Sequence, residues 1–515
     1  MNSNSSRLLY TSELGEQPNL DSRPFSTLTS RAGCLEQLGE NRNFDLVILG
    51  GGLTAALTAH QLALRGIRVL VLEARYFGAH GVAWRNSLSG AVCTKPLDIM
   101  RGLASLRAFS HTIAPHLISL TSPDLPSAKT IRSGLALRGL RYLWRGAGRR
   151  APTTSKGFPD LDEVLLIREL ILAARQEGAL ALSYAQPIYV EAESESGCYN
   201  VGFRDLCSNN SYEVRAGGLL IDPTDGTLPA TRLGTHILKV PERLPSTAQV
   251  VFQVEPRTLK GAGRFVSFEL PDSSLVTVSY INDGVIEVAL VCALKMPAPT
   301  AVLAIAREAC EQAGWAIRAT LSRWSSGCCY SRDLKVREQQ GIFTIEERGP
   351  WDSFKSSAKV VRTMVLLAGE RKTGITSRAL PGVERACELD AFRALARTKG
   401  LSEGTIELVI QRWRGRVRYI DECVDGFREV VPGVLQGELE LAVVGDQVQS
   451  IEELCFGTLA LHYLPGWQEL VAPLAQRLSE SFNITVGAAA ITQCIEARIE
   501  ERIEERIEAR IEERS

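Results

Sequence analysis

At 515 residues, with 45% apolar and 23% charged side chains, the chain is long enough to bury a large core and to divide into two or three domains. Lys+Arg 58 against Asp+Glu 59 leaves a net charge of −1, so nothing in the balance favours a nucleic acid as partner. Twelve cysteines without CxxC spacing, and six dispersed histidines, point to reduced thiols in a cytoplasmic-type compartment and to no metal site. No uncharged apolar run approaches the roughly 18 to 20 residues needed to span a bilayer, so no transmembrane segment is expected, although peripheral contact at the inner membrane face remains compatible with the sequence.

Residues 1–43 are rich in Ser, Asn and Gly and read as a flexible arm with one short helix near Leu35 to Leu38. From Phe44 the pattern changes. The apolar run Leu46 to Leu49 reads as a buried parallel strand and runs into Gly50-Gly51-Gly52. In such a unit Gly50 permits the tight turn and Gly52 lets the backbone approach a pyrophosphate. Leu53 and Thr54 open the following helix, whose N-terminus receives the anion, and Ala55 takes the third small position. Gly66 ends that helix, and a second strand from Ile67 to Leu72 delivers Glu73, 23 residues after Gly50, where a carboxylate can accept hydrogen bonds from ribose hydroxyls. Together these residues form a dinucleotide-binding βαβ unit, which FAD and NAD fit equally well.

Further along, residues 161–178 carry a helical apolar stripe, followed by Ala179 to Leu182 and the alternation of Tyr199 to Phe203. Alternating runs at Ala248 to Val254, Phe265 to Leu270, Val276 to Tyr280 and Val285 to Cys292 predict a largely antiparallel sheet. Beyond Pro381 the pattern turns helical, with helices expected over Glu388 to Thr398, Gly404 to Trp413, Leu435 to Val448 and Ile451 to His462. The tail, Ile495 to Arg514, repeats a four-residue unit that places like charges at i,i+4 and lets its isoleucines drift about 40° per step, so a marginal helical extension is expected there rather than a coiled coil.

Several segments, taken in order, carry a resemblance. Gly50 to Ala55 with Leu64-Arg65-Gly66, Glu73 and Phe77 is similar to the opening of the FAD-dependent, respiratory-chain-type glycerol-3-phosphate dehydrogenases. Ala114-Pro115-His116-Leu117, Arg132-Ser133-Gly134-Leu135 with Arg149-Arg150, Gly234-Thr235-His236, Ala379-Leu380-Pro381-Gly382 and the stretch Glu438 to Leu454 resemble later segments of that family in the same order. The resemblance implies an α/β fold with an FAD-binding Rossmann-like domain (44–235 and 330–380), an antiparallel-sheet substrate domain (236–329), a helical C-terminal domain (381–480) and a repetitive tail (481–515). It also implies hydride transfer from sn-glycerol 3-phosphate or a related alcohol to FAD, with a quinone as onward acceptor. Gly81 and Arg85 would lie by the flavin, His236 would be the base or substrate-orienting residue, and Arg332 would hold the substrate phosphate.

The chain departs from the family at several of these places. Val82-Ala83-Trp84 replaces hydroxyl-bearing residues before Arg85, Asp222-Pro223-Thr224-Asp225-Gly226 stands where the family has Ala-Thr-Gly, Gly327-Cys328-Cys329 lacks an arginine, and Glu346-Glu347-Arg348 replaces Gly-Gly-Lys. Carboxylates near a phosphate or an anionic reduced flavin are repulsive. A second expectation therefore stands beside the first: a non-catalytic relative that keeps the flavoprotein fold and acts by binding a partner.

Overall fold

The computed structural model describes residues 31–79, 85–87, 117–121, 157–193, 197–222, 231–233, 236–238, 247–255, 265–269, 275–282, 284–291, 298–326, 335–339, 341–346, 350–368, 380–382, 386–482, 484 and 486–496. The strand Leu46–Leu49 is buried at all four residues because it lies inside a six-stranded sheet. The strand order is Lys335–Gln339, Ile342–Glu346, Leu219–Ile221, Leu46–Leu49, Val69–Leu72, Leu180–Leu182, and every pairing except that of the outer Lys335–Gln339 strand is parallel. Both faces are covered, as continuous apolar strands require.

The two-residue period of a strand sorts the side chains between those faces. Leu46, Ile48, Val69 and Val71 pack with the helices Leu53–Ala63, Glu163–Gln176 and Pro350–Leu367. Val47, Leu49, Leu70 and Leu72 pack with an antiparallel meander of Ala185–Ala192, Tyr199–Asp205 and Ser211–Ala216. Helix Leu53–Ala63 is buried along its whole length, which explains its small residues: Ala55, Ala56 and Ala59 let the sheet and two helices approach it together.

The end of the N-terminal arm differs from its expectation. The short helix read near Leu35 to Leu38 is ten residues long, Arg31–Glu40. It is docked rather than loose, because Cys34 and Leu38 enter the core and Arg31 donates to the Ser183 carbonyl (2.5 Å) and pairs with Asp205 (2.6 Å). Polar composition concealed this, since only three residues of the helix are buried.

A second, five-stranded antiparallel sheet runs in the order Phe265–Glu269, Leu275–Asn282, Val285–Val291, Thr247–Val254, Ile317–Ser326. Helix Pro299–Gln312 covers one face through Val302, Leu303, Ala306 and Cys310, with proline at its first turn where no amide is needed. The alternating runs in the sequence fall on these strands within a residue or two.

Beyond Pro381, helices Ala386–Thr398, Glu403–Trp413, Trp467–Phe482 and Ala488–Glu496 enclose a third core around Trp413, Leu439, Leu454 and Trp467. Ser402 caps the second of them by accepting from the Thr405 amide (3.0 Å). The two helices expected over Leu435 to Val448 and Ile451 to His462 are not plain α-helices: in the first an α-helical turn at Gln436–Glu440 passes into a π-helix, Leu441–Gly445, and in the second a π-helix occupies Glu453–Thr458. Apolar spacing cannot distinguish a π-helix from an α-helix over so few residues. Among the described residues no helix is long and apolar enough to cross a membrane.

Candidate cofactor site

The turn that follows Leu46–Leu49 can be made only by glycine. Gly50 has φ +115°, and a side chain there would overlap the backbone carbonyl of Asp222. At Gly51 a Cβ would lie 2.7 Å from Glu73 Oε2 and 2.8 Å from the Phe77 ring. Gly52, extended at φ −77° and ψ −176°, caps helix Leu53–Ala63 without a side chain of its own. Leu53, Thr54 and Ala55 form the first helical turn, whose amides point out of the helix end. Five of the residues read from sequence as cofactor ligands, Gly50, Gly52, Leu53, Thr54 and Ala55, thus lie together at one mouth.

Glu73 joins them from the next strand. Its carboxylate lies against Gly51, accepts from the Arg75 amide (2.8 Å) and is 1% exposed. The acid therefore reaches the turn, as the spacing predicts, and the local backbone holds it there.

A residue not singled out as a ligand also enters the mouth. Asp222 follows strand Leu219–Ile221, its amide donates to the Leu49 carbonyl (2.9 Å), and its Oδ2 accepts from the Ala55 amide (3.1 Å). It is 1% exposed. The sequence signal was an acid in place of Ala-Thr-Gly, but the consequence spans 167 residues and appears only once the two strands pair.

Behind this site the C-terminal helices lock onto helix Glu163–Gln176 through buried charges. Arg168 donates through Nε to Asp446 Oδ2 (3.1 Å), pairs with the same oxygen through Nη2, and reaches the carbonyls of Gly457 and Thr458 (3.3 Å each). Arg416 pairs with Asp446 Oδ1 (2.9 Å) and Glu169 Oε1 (3.5 Å), while Glu169 accepts from the Gly382 amide. The Trp413 ring contacts both guanidiniums, its centroid 5.2 Å from Arg168 and 4.8 Å from Arg416. Burial pushes the Asp446 carboxyl up, but Arg168 and Arg416 outweigh it, so it titrates below its usual value. Glu169 and Glu453 go the other way: burial raises both, Glu453 to about 8. Gly382 is required here because a Cβ would fall 2.7 Å from Glu169 Cδ.

Residues 45–152 match the family described as DAO, FAD dependent oxidoreductase. The aerobic glycerol-3-phosphate dehydrogenase of Staphylococcus saprophyticus is 24% identical over 209 residues, which cover 34% of this chain and 37% of that protein. The structure of the glycerol-3-phosphate dehydrogenase from Bacillus halodurans complexed with FAD superposes with a TM-score of 0.62 and 15% identity, covering 91% of this chain and 96% of that one. The chain has the fold of that FAD-complexed dehydrogenase, and its residues 45–152 match the FAD dependent oxidoreductase family.

The glycerol-3-phosphate dehydrogenase fold extends to segments read from sequence as substrate- and flavin-side. His236 opens the strand His236–Leu238, paired antiparallel with Leu233, and Arg85 opens the strand Arg85–Ser87, paired with Asp162. Their side chains lie outside what the structure describes, as do Gly81, Arg332, Gly327 to Cys329, Glu347-Arg348 and the repeated tail beyond Glu496. The described part of the site is the glycine turn with Glu73 and Asp222 beside it.

Proposed function

We propose that the protein is an FAD-dependent oxidoreductase that oxidises sn-glycerol 3-phosphate or a closely related alcohol and passes electrons to a quinone-type acceptor, touching the membrane peripherally if at all. The observation that carries this reading is the glycine turn of Gly50 to Gly52 with Glu73 against it, inside a parallel sheet that extends into the whole glycerol-3-phosphate dehydrogenase fold. We assign cofactor binding to residues 44–235 and 330–380, the substrate side to 236–329, and a covering role to 381–480.

The residues present suit FAD. The first-turn amides of Leu53 and Thr54 would face the pyrophosphate, the absent side chains of Gly50 to Gly52 would let it approach, and Glu73 would accept from the ribose hydroxyls. Bound FAD would supply the hydride acceptor. For the substrate, His236 is the proposed acceptor of the C2 hydroxyl proton and Arg332 the proposed phosphate ligand, with Gly81 and Arg85 beside the flavin.

Purified protein tests this directly. A flavin absorption spectrum that bleaches anaerobically on addition of sn-glycerol 3-phosphate is the expected result. A colourless protein that fails to take up FAD would remove the cofactor, and a stable flavin indifferent to glycerol 3-phosphate would remove that substrate. Replacing Glu73 by alanine should weaken ADP binding about ten-fold or more, since hydrogen bonds to a charged acceptor contribute roughly 1.5–3 kcal/mol. Calorimetric titration with ADP measures this, and an unchanged affinity would place the ribose elsewhere.

The carboxylates at Asp222 and at Glu346-Glu347 favour a second reading, a non-catalytic relative that retains the fold and works by binding a partner. The same spectrum decides between the two.

A further inference from the structure

We infer that Asp222 sets the affinity of the cofactor site: its carboxylate is an internal anion held at the helix end that the pyrophosphate must also use, so the chain binds its dinucleotide against a built-in competitor. This inference rests on the FAD reading above.

Three observations place the competing charge. Asp222 Oδ2 accepts from the amide of Ala55, the third residue of helix Leu53–Ala63, so the carboxylate draws on the partial positive charge of that helix N-terminus. Its backbone is fixed there: the Asp222 amide donates to Leu49, and its carbonyl packs so closely on Gly50 that no side chain fits between them. Glu73 lies on the other side of the same turn, against Gly51. A diphosphate approaching Gly50 to Gly52 therefore meets one carboxylate suited to the ribose and a second that no sugar hydroxyl needs. Two anions at one helix end repel through partly desolvated surroundings, where water screens them poorly. The contact also satisfies the Ala55 amide, a helix-end donor with no partner within the helix, next to the amides of Leu53 and Thr54, so it stabilises the empty site while its charge penalises the filled one.

These two effects have opposite signs, and that separates the inference from a purely structural role. Asp222→Asn keeps the size of the side chain and an oxygen for the Ala55 amide but removes the charge, and Asp222→Ala removes both. Apoprotein of the full chain and of each variant would be titrated with FAD by flavin fluorescence and with ADP by calorimetry, and melted without ligand. The expected result is binding of both ligands at least about ten-fold tighter in Asp222→Asn. Asp222→Ala should also bind more tightly while its ligand-free melting temperature falls below that of the native chain. Equal or weaker binding by a folded Asp222→Asn overturns the inference and leaves the cofactor reading standing. Failure of all three proteins to bind either FAD or ADP overturns the cofactor reading, and the inference with it.

Discussion

Replacing Asp446 by alanine is expected to destabilise the docking of the C-terminal helices by about 3–5 kcal/mol, because it leaves two buried guanidiniums without their shared counter-ion. Arg168 and Arg416 are 8% and 1% exposed, so water cannot take over the role of the carboxylate. Glu169 cannot compensate either, since it already accepts from Gly382 and meets Arg416 only at 3.5 Å. Replacing Asp446 by asparagine should cost less than the alanine change, because an amide oxygen still accepts from one arginine. Thermal melting with limited proteolysis measures the effect, and the early cleavage sites should fall beyond Pro381. An Asp446→Ala protein that melts and resists protease like the native chain would show that the charges are not what holds these helices in place.

Gly50→Ala is the second large effect, expected to cost about 3 kcal/mol or more and to abolish nucleotide binding. Two penalties combine at this position: a φ of +115° that side chains rarely adopt, and overlap with the Asp222 carbonyl, a backbone atom that cannot turn aside. Gly66 provides the control. It has φ +69°, but a Cβ added there would meet nothing within 4 Å, so Gly66→Ala should carry strain alone, about 1 kcal/mol. Urea denaturation of the two variants compares them, and similar losses would mean that crowding against the Asp222 carbonyl adds nothing to the strain.

The βαβ unit around the glycine turn was legible in the sequence because its signals are local. Leu46 to Leu49, Gly50 to Gly52, the small residues of the helix and Glu73 all lie within one unit of about thirty residues, and each constrains the next. The antiparallel sheet was legible for a similar reason, since alternation declares a strand without reference to its partner. What was hidden depends on distant pairings. Asp222 reads as the loss of a familiar turn until strand Leu219–Ile221 lies beside Leu46–Leu49 and its carboxylate meets Ala55. Arg168, Glu169, Arg416 and Asp446 are ordinary charges in the sequence, spread over nearly 280 residues, and nothing short of the packed helices reveals that they share one buried network. Arg31 escaped notice because a single buried arginine leaves no periodic trace.

The two π-helical stretches carry a consequence of their own. Each wide turn accommodates one residue more than an α-helix would, and a residue advances an α-helix by about 100°. Leu441–Gly445 ends at Asp446, and Glu453–Thr458 contains the carbonyls of Gly457 and Thr458, so both wide turns deliver their acceptors to the same guanidinium of Arg168. The aim of that carboxylate is thus written in the phase of the backbone: loss of a single residue from the first wide turn would swing Asp446 about a quarter of the way round its axis, leaving it chemically intact but turned away from Arg168 and Arg416.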